Sequence, residues 1–410
     1  MNWIDFAFFF YMFVGIYMLS LLIITNYSKK EQLFYYPKGK PEPVSVVMPC
    51  FNDSEHLGEA IEALLALDYP KEMLEIIIVD DKSSDNSVEI AKQYARKYKN
   101  IRFIQRKTNS GGAAQPTNDG ILNAKYNYIA VVDSDSTPRK DALIKMIGFL
   151  QNDQKVGGVT CAVLSKPPVT FFQKIQAIEY AIIAWNRKLL DTLDAVYVTP
   201  GPFALYRKKT LMEIGLFDTK NLTQDIEIVW RLRSCGYVAK MCLDTRVESA
   251  TPTSFKACFK QRFIWNIGGT QTLLKYKSYI MKNGTLGYFI IPFFCMNLFL
   301  GLIGLGLYTY LLSRKIFLYY LTTYYSYIGD TSLFVLKDLS FSPSILNFLG
   351  AALFIAGLLF TLEGLGVMKQ ERFGKGNLFN IMFYIIVYLA VYPFIMLTGL
   401  IKLMTGRYKW

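Results

Sequence analysis

Asp133-Ser134-Asp135 closes an apolar run at residues 128–132, and Thr223-Gln224-Asp225 follows about ninety residues later. Two carboxylates one residue apart supply the hard oxygen donors that Mg2+ or Mn2+ prefers. A site at the C-terminal end of a strand also leaves room for phosphates and water. A third acid from a distant segment adds a proton acceptor. Together these residues read as a metal–diphosphate site beside a catalytic base, which is equipment for handling a nucleotide. Asp-x-Asp also occurs by chance as a turn or helix cap, and the strand that precedes it here argues against that origin.

The elements that must position these acids follow from hydrophobic pattern. Residues 44–48, 75–79, 101–105 and 128–132 are short runs rich in Val and Ile, separated by helical patterns at 55–67, 86–98, 115–124 and 140–151. That alternation, within residues 43–245, predicts a parallel sheet with helices on both faces and ligands at the carboxyl ends of its strands. Asn52 and Asp53, Asp80 and Asp81, and Asp133 and Asp135 all follow strand ends. Helix capping is the competing explanation for Asp53, Asp81 and Asp85, and the preferred one for Asp85. His56 is the only histidine, has no companions for a metal cluster, and is assigned no role. Six cysteines without C-x-x-C spacing read as reduced thiols filling core space.

A chain of 410 residues with 52% hydrophobic residues and a mean hydropathy of +0.24 is too apolar for one water-soluble domain. Residues 6–24 carry no charge and are long enough to cross a hydrocarbon core of roughly 30 Å. They read as a signal anchor, because Met1 to Asp5 lacks a positive n-region and residues 25–30 show no cleavage pattern. Residues 286–312, 345–362 and 381–403 are further spans. Residues 316–336 are ambiguous: they are apolar and Tyr-rich like a span, but Gly329, Asp330 and the cluster Thr322, Thr323 and Ser326 suit an interfacial or extracytoplasmic segment at least as well.

Basic residues collect at Lys29 and Lys30, from Lys256 to Lys282, and at Lys369, Arg372 and Lys375. Four crossings, with residues 313–344 outside, place all three clusters in the cytoplasm; Arg314, Lys315, Arg407 and Lys409 sit against the rule. The expected division is an N-terminal helix at 1–28, a cytoplasmic α/β domain at 43–250, interfacial amphipathic helices at 251–284 and a membrane region at 285–410. Residues 171–193 form another amphipathic pattern suited to docking on the bilayer. A net charge of +13 suits anionic lipid and an anionic substrate, and no nucleic-acid motif appears, so nucleic acid is not an expected partner. No heptad repeat or interaction tail points to a protein partner.

At this level of detail the chain resembles the family 2 glycosyltransferases, which have the nucleotide-binding GT-A fold with its Rossmann-like sheet. Val44-Ser-Val-Val-Met-Pro-Cys-Phe-Asn-Asp53 is similar to the family's first strand and turn, and Ile78-Val-Asp-Asp-Lys-Ser-Ser-Asp85 to its Val-Asp-Asp-Gly-Ser-x-Asp element. Asn109-Ser-Gly-Gly and Asn118-Asp-Gly120 resemble its Asn-x-Gly segment, Asp133-Ser-Asp135 its metal motif, and Thr223-Gln-Asp225 its Thr-Glu-Asp element. Thr199-Pro-Gly-Pro-Phe-Ala-Leu-Tyr-Arg207 resembles the acceptor-side strand and turn. Flanking membrane helices resemble the subgroup that makes hyaluronan, cellulose or poly-N-acetylglucosamine. That subgroup carries Gln-x-x-Arg-Trp; Gln261-Arg262-Phe263-Ile264-Trp265 keeps Gln and Trp but has Ile in the Arg position. On a helix Arg262 points about 200 degrees away from position 264.

The resemblance implies a nucleotide-diphospho-sugar donor, UDP-linked as the first expectation, attacked by an acceptor hydroxyl with inversion. It implies that Asp53 and Asp81 hold uridine, with Asn109 and Gly111 in the donor loop. Asp135, with Asp133 assisting, would bind Mg2+ or Mn2+, and Asp225 would be the base. Gln261 and Trp265 would serve substrate, the Trp meeting the acceptor sugar. Asp225 also suits the first turn of the helix at 226–234, and Trp265 also suits a membrane interface. Growth of a β-linked polysaccharide is the first functional expectation. Transfer of one sugar to a lipid acceptor is the second, which Ile264 favours, and an inactive membrane-anchored scaffold is the third.

Overall fold

The computed structural model describes residues 3–329, 345–368 and 378–406. After the apolar helix α1 (Trp3–Ser28) come β1 (Val44–Cys50), α2 (Leu57–Leu65), β2 (Leu74–Asp80), α3 (Ser87–Lys97), β3 (Ile101–Gln105), α4 (Ala114–Asn123) and β4 (Tyr128–Val131). Every residue of β1 and β2 is buried, as expected of Val- and Ile-rich strands covered on both faces. β1 pairs in parallel with β2 and β4, and β2 with β3.

The chain continues through β5 (Ser136–Pro138), α5 (Ala142–Asn152), β6 (Val156–Ser165), α6 (Phe171–Thr192), β7 (Ala204–Arg207), α7 (Lys208–Glu213), α8 (Gln224–Ser234) and β8 (Val238–Ser249). The eight strands lie in the order β3-β2-β1-β4-β7-β6-β8-β5. The expected all-parallel sheet is corrected in this half. β7 is antiparallel to β4 and β6, and β5 is antiparallel to β8, while β6 and β8 run parallel. Nothing in the sequence reading announced β6 or β8. In β6 the pair Gly157-Gly158 conceals a strand by lacking side chains to pattern. Those glycines are required by close packing: a β-carbon would fall 2.6 Å from Leu232 Cδ2 at 157 and 2.9 Å from Tyr206 Cε1 at 158.

Alternate residues of β1 feed two cores. Val44, Val46 and Met48 pack with Leu57, Ile61 and Met146 on one face. Val47 joins Ile77, Ile178 and Trp230 on the other, in a core that continues to Leu286, Phe360 and Tyr384. The sheet and the apolar helices are therefore one packed body.

The rest of the chain comprises α9 (Phe255–Tyr276), α10 (Ile291–Ile328), α11 (Ile345–Val367), α12 (Leu378–Phe383) and α13 (Leu389–Thr405), with π-helical turns at Leu286–Ile290 and Tyr384–Tyr388. Among the described residues four spans are long and apolar enough to cross a membrane: Ile4–Ser28, Leu286–Ile328, Phe348–Val367 and Leu378–Thr405. The span expected to end at residue 312 instead runs on through Arg314 and Lys315, and no Gly or Pro lies between residue 312 and Gly329 to stop it. Its 38 helical residues measure about 57 Å, well beyond a hydrocarbon core of roughly 30 Å. Residues 316–328 thus continue that helix, and the remainder of the ambiguous segment lies outside the described residues, as do Lys369, Arg372, Lys375, Arg407 and Lys409.

Two further expectations change. The apolar surface of α6 is buried in protein: the helix starts at a Thr170/Gln173 capping box and packs between β6 and β8 on one side and α1, α11 and α12 on the other. Its Trp185 rests on Gly364 of α11, where a β-carbon would come within 2.2 Å of the ring. The interfacial region is one long helix, α9, capped by Ser254 and packed on α8 and α13, followed by a 3-10 turn at Lys277–Tyr279. All six cysteines are free thiols, with Cys50, Cys161, Cys242 and Cys258 buried.

Candidate active site

The turns after β1 and β2 bring the first acids to the C-terminal edge of the sheet. Both turns use left-handed backbone at non-glycine residues, Asn52 at φ 49° and Lys82 at φ 66°. Asp53 Oδ2 accepts a hydrogen bond from Ser134 Oγ at 2.6 Å, and its Oδ1 lies 2.7 Å from His56 Nδ1. His56 therefore supports Asp53, a contact not evident from the sequence. Asp81 is buried; its Oδ2 accepts from Ser110 N at 2.9 Å and Ser110 Oγ at 2.7 Å, and its carboxylate pairs with Arg106.

Asn109 Nδ2 donates to Asp81 O at 2.8 Å, and Asn109 Oδ1 accepts from the N–H of Gly111 at 2.8 Å. Gly111 has φ 75°, the conformation glycine best tolerates. Arg106 also bonds Asp119 at 2.7 Å, and its place one residue beyond β3 was the signal that could have drawn attention to it. A cleft of about 280 Å³, lined by Arg106, Ser110, Gln115, Asn221 and Gln224, joins this loop to the segment before Asp225. The Asp133 and Asp135 side chains stand outside its lining.

Asp133 N–H donates to Gly201 O at 3.2 Å, and its carboxylate lies against Gly201, where a β-carbon would fall 2.7 Å from Oδ2. Asp135 Oδ1 accepts from Ser136 Oγ at 2.6 Å and from Ser249 Oγ at 3.2 Å. Ser249 ends β8 and carried no local signal, since only the fold brings it here. Burial, followed by the charges of Asp135, Asp225 and Asp53, pushes the Asp133 carboxyl well above the usual range. Burial also raises Asp135; the Ser136 hydroxyl opposes this, and the Asp53 charge adds to it.

Excess negative charge on hard oxygen donors fits a divalent cation of the Mg2+ or Mn2+ type. Among the described residues no three His, Cys, Asp or Glu side chains are grouped so as to hold a metal ion by themselves. An open site of this kind leaves coordination positions to water and diphosphate oxygens.

Asp225 sits in the first turn of α8, which begins at Gln224, two residues before the expected start, and lies two residues beyond the N-cap Thr223. Its Oδ1 accepts from Ile226 N at 3.0 Å, and its carbonyl accepts from Thr199 N at 3.2 Å. Burial pushes its carboxyl up to about 6, opposed by backbone hydrogen bonds and the charge of Arg187. That value suits a general base working near neutrality. α9 braces the preceding loop: Asn221 Nδ2 donates to Thr272 Oγ1 at 2.9 Å, and Leu222 N donates to Gln271 Oε1 at 3.0 Å.

Gln261 and Trp265 occupy a neighbouring cluster. The Arg262 guanidinium lies over the Trp265 ring at 4.2 Å, and Trp265 stacks on Tyr180 at 6.4 Å between centroids. Fully buried Arg262 pairs with Glu179 and donates to Gln261 Oε1. Tyr180 feels the charges of Arg262 and Asp135, so this cluster adjoins the acidic one. The structure thus brings Asp53, Asp133, Asp135 and Asp225 into one electrostatic group. Asp81, Asn109 and Gly111 share a loop cluster, and Gln261 and Trp265 share the wall toward the membrane helices.

A mixed sheet of this order, with its acids at one carboxyl edge, is the GT-A architecture of nucleotide-sugar transferases. Residues 41–268 match the model described as "Glycosyltransferase like family 2", and the chain belongs to that family. It is therefore a glycosyltransferase, carried here on apolar helices suited to a membrane. A poly-beta-1,6-N-acetyl-D-glucosamine synthase of Staphylococcus epidermidis is 29% identical over 299 residues, 72% of each chain. The synthase of the same name from Staphylococcus aureus strain COL is 31% identical over 301 residues, again 72% of each. A mannosyltransferase from Pyrobaculum calidifontis, solved in complex with GDP-Man and Mn2+, shares the fold with a TM-score of 0.64 at 16% identity, covering 99% of this chain and 100% of that one.

Proposed function

We propose that the protein is an inverting polysaccharide synthase that adds sugars from a UDP-sugar to a growing β-linked chain at the cytoplasmic face of the cell membrane. The observation that carries this reading is the acidic cluster of Asp53, Asp133, Asp135 and Asp225 in a body that shares one core with the membrane helices. The relatives named as poly-beta-1,6-N-acetyl-D-glucosamine synthases support a polymer product and make UDP-N-acetylglucosamine the first donor to test. The basic residues near Lys29 and along 256–282 support the orientation.

In this reading the acceptor hydroxyl gives its proton to Asp225 while its oxygen bonds to the anomeric carbon. The bond from that carbon to the diphosphate breaks on the opposite face, and UDP leaves. Asp135 and Asp133 hold Mg2+ or Mn2+, which supplies charge neutralisation at the leaving diphosphate. Asp53, Asp81, Asn109 and Gly111 form the nucleoside side. Because Asp81 already engages Arg106 and Ser110, a uracil contact requires that loop to release a donor. Gln261 and Trp265 form the acceptor side. The units are a helix at 1–28, a transferase domain at 43–250, the linking α9 region at 251–284 and the membrane region at 285–410.

Ile264 favours one rival, single-sugar transfer to a polyprenyl phosphate or glycolipid, since an aliphatic side chain cannot neutralise diphosphate charge. The test is UDP release by the purified protein in detergent with Mn2+ and a panel of UDP-sugars, beside Asp225→Asn, followed by sizing of the products. Products that lengthen with time support the synthase. A single-sugar lipid product supports the rival, and no release with any UDP-sugar sinks the reading.

A further inference from the structure

Arg187 is a buried arginine of α6 with an unusual environment. Arg262 is paired with Glu179, and Arg233 donates from Nε to Val196 O at 3.0 Å and lies 3.7 Å from Asp194. Arg187 is 7% exposed, yet its Nε and Nη1 have no hydrogen-bond partner and it makes no ion pair among the described residues. Its principal electrostatic neighbours are Tyr197 and Asp225. Tyr197 is its one side-chain hydrogen-bonding neighbour among the described residues, so Nε and Nη1 stay unpaired in a buried place, which is costly, and native structures rarely leave such donors idle.

The position indicates what fills the gap. After burial, Asp133 is influenced by the charges of Asp135, Asp225 and Asp53, and Asp135 by that of Asp53, so the acids that would meet the diphosphate group around Asp133 on one side of Asp225. Tyr197, beside Arg187, packs edge-on against Phe294 of α10 at 5.0 Å. Arg187 thus neighbours the base and, through Tyr197, the apolar helix α10. A base that takes a proton from an acceptor must have that acceptor on the side away from the leaving group.

We propose that Arg187 is an acceptor-binding residue whose Nε and Nη1 donate to neighbouring hydroxyl oxygens of the acceptor's terminal sugar, orienting the hydroxyl that Asp225 deprotonates. The planar fork of a guanidinium matches two adjacent oxygens, which an ammonium cannot do in the same geometry. Arg187 keeps its proton throughout; the hydroxyl proton passes to Asp225. This inference rests on the transferase reading above.

The experiment uses the full chain in detergent with Mn2+, the UDP-sugar that the wild type turns over, and size-fractionated wild-type product as acceptor. Arg187→Met is expected to raise the acceptor KM by about tenfold or more while UDP binding, measured by calorimetry with Mn2+, stays within about twofold of wild type. Arg187→Lys is expected to fall between the two. An unchanged acceptor KM overturns the proposal. Weakened UDP binding in a variant with wild-type melting behaviour overturns it too, and assigns the guanidinium to the donor diphosphate in place of the arginine missing at 264. Should the Met variant not fold, the Lys variant is read alone against the same criteria. A wild type that turns over no nucleotide sugar removes the transferase reading itself, whatever Arg187 does.

Discussion

Gly268 of α9 lies directly against Thr223, so that a β-carbon at 268 would fall 2.3 Å from Thr223 Oγ1 and 2.6 Å from Thr223 N. The second atom is backbone, so the clash cannot be relieved by a rotamer change. Thr223 is the N-cap of α8, and Asp225 follows two residues later. Gly268→Ala is therefore expected to displace the turn that aims Asp225, at an overpacking cost of about 1–3 kcal/mol offset partly by alanine's better helix propensity. The expected result is a kcat lowered tenfold or more with UDP affinity nearly unchanged. A variant with wild-type kcat would show that the turn tolerates the shift.

Asp225→Asn should separate activity from stability. Loss of the base is expected to cut transfer by on the order of a hundredfold to ten-thousandfold. The folded carboxyl titrates near 6, against 3.8 as the ordinary value, so between those pH values the folded state binds more protons than the unfolded state. Stability contributed by this group is present at low pH and is lost as pH rises through about 6. The full difference corresponds to about 3 kcal/mol. Melting in EDTA at about pH 4 and pH 7.5 should show the wild type losing more stability than Asp225→Asn as pH rises. Equal losses would contradict the assignment of a raised carboxyl.

The carboxyl-edge placement of Asp53, Asp81 and Asp133 was legible because each follows a strand of Val and Ile, and such runs are unambiguous when buried on both faces. β6 was not, because Gly157 and Gly158 satisfy packing against Leu232 and Tyr206 rather than a local pattern. The antiparallel insertion of β7 depends on that unseen strand, which is why the parallel expectation failed there. Arg106, Ser249 and Arg187 were missed for a related reason. Each is a single polar residue whose surroundings come from distant segments, and no spacing records such a meeting. α6 and α9 were recognised as amphipathic, but the surface they bury is protein, and periodicity alone does not distinguish a protein partner from lipid.

Metal binding should compete with protons at Asp133. Burial and the neighbouring carboxylates hold that group protonated to higher pH than an ordinary aspartate, and a metal ligand must be deprotonated. Mn2+ affinity is expected to go on rising with pH beyond the range in which an ordinary aspartate is already ionised, by up to about tenfold per pH unit for one released proton. Calorimetry in two buffers of different ionisation enthalpy would count the protons. Asp133→Asn should weaken binding and flatten its pH dependence, and EDTA should abolish transfer until Mg2+ or Mn2+ is restored.

The buried pair Glu179–Arg262 joins three parts of the protein. Glu179 belongs to α6 and Arg262 to α9, and the Glu179 carboxylate also accepts from Tyr388 at 3.0 Å and Tyr392 at 2.6 Å, near the middle of the last apolar span. Removing one partner leaves a charge stranded where water does not reach, a loss of about 3–5 kcal/mol. Glu179→Gln and Arg262→Met are each expected to lower the melting temperature of the detergent-solubilised protein markedly. The double variant should recover much of that loss, because two apolar or neutral groups leave no uncompensated charge. Arg262→Met should also free Trp265, which loses its stacked cation, and release Gln261 Oε1 from its donor. If both residues act at the acceptor wall, acceptor KM in the double variant stays raised even where the melting temperature is restored. Recovery of both together would instead mean that the pair serves the fold alone.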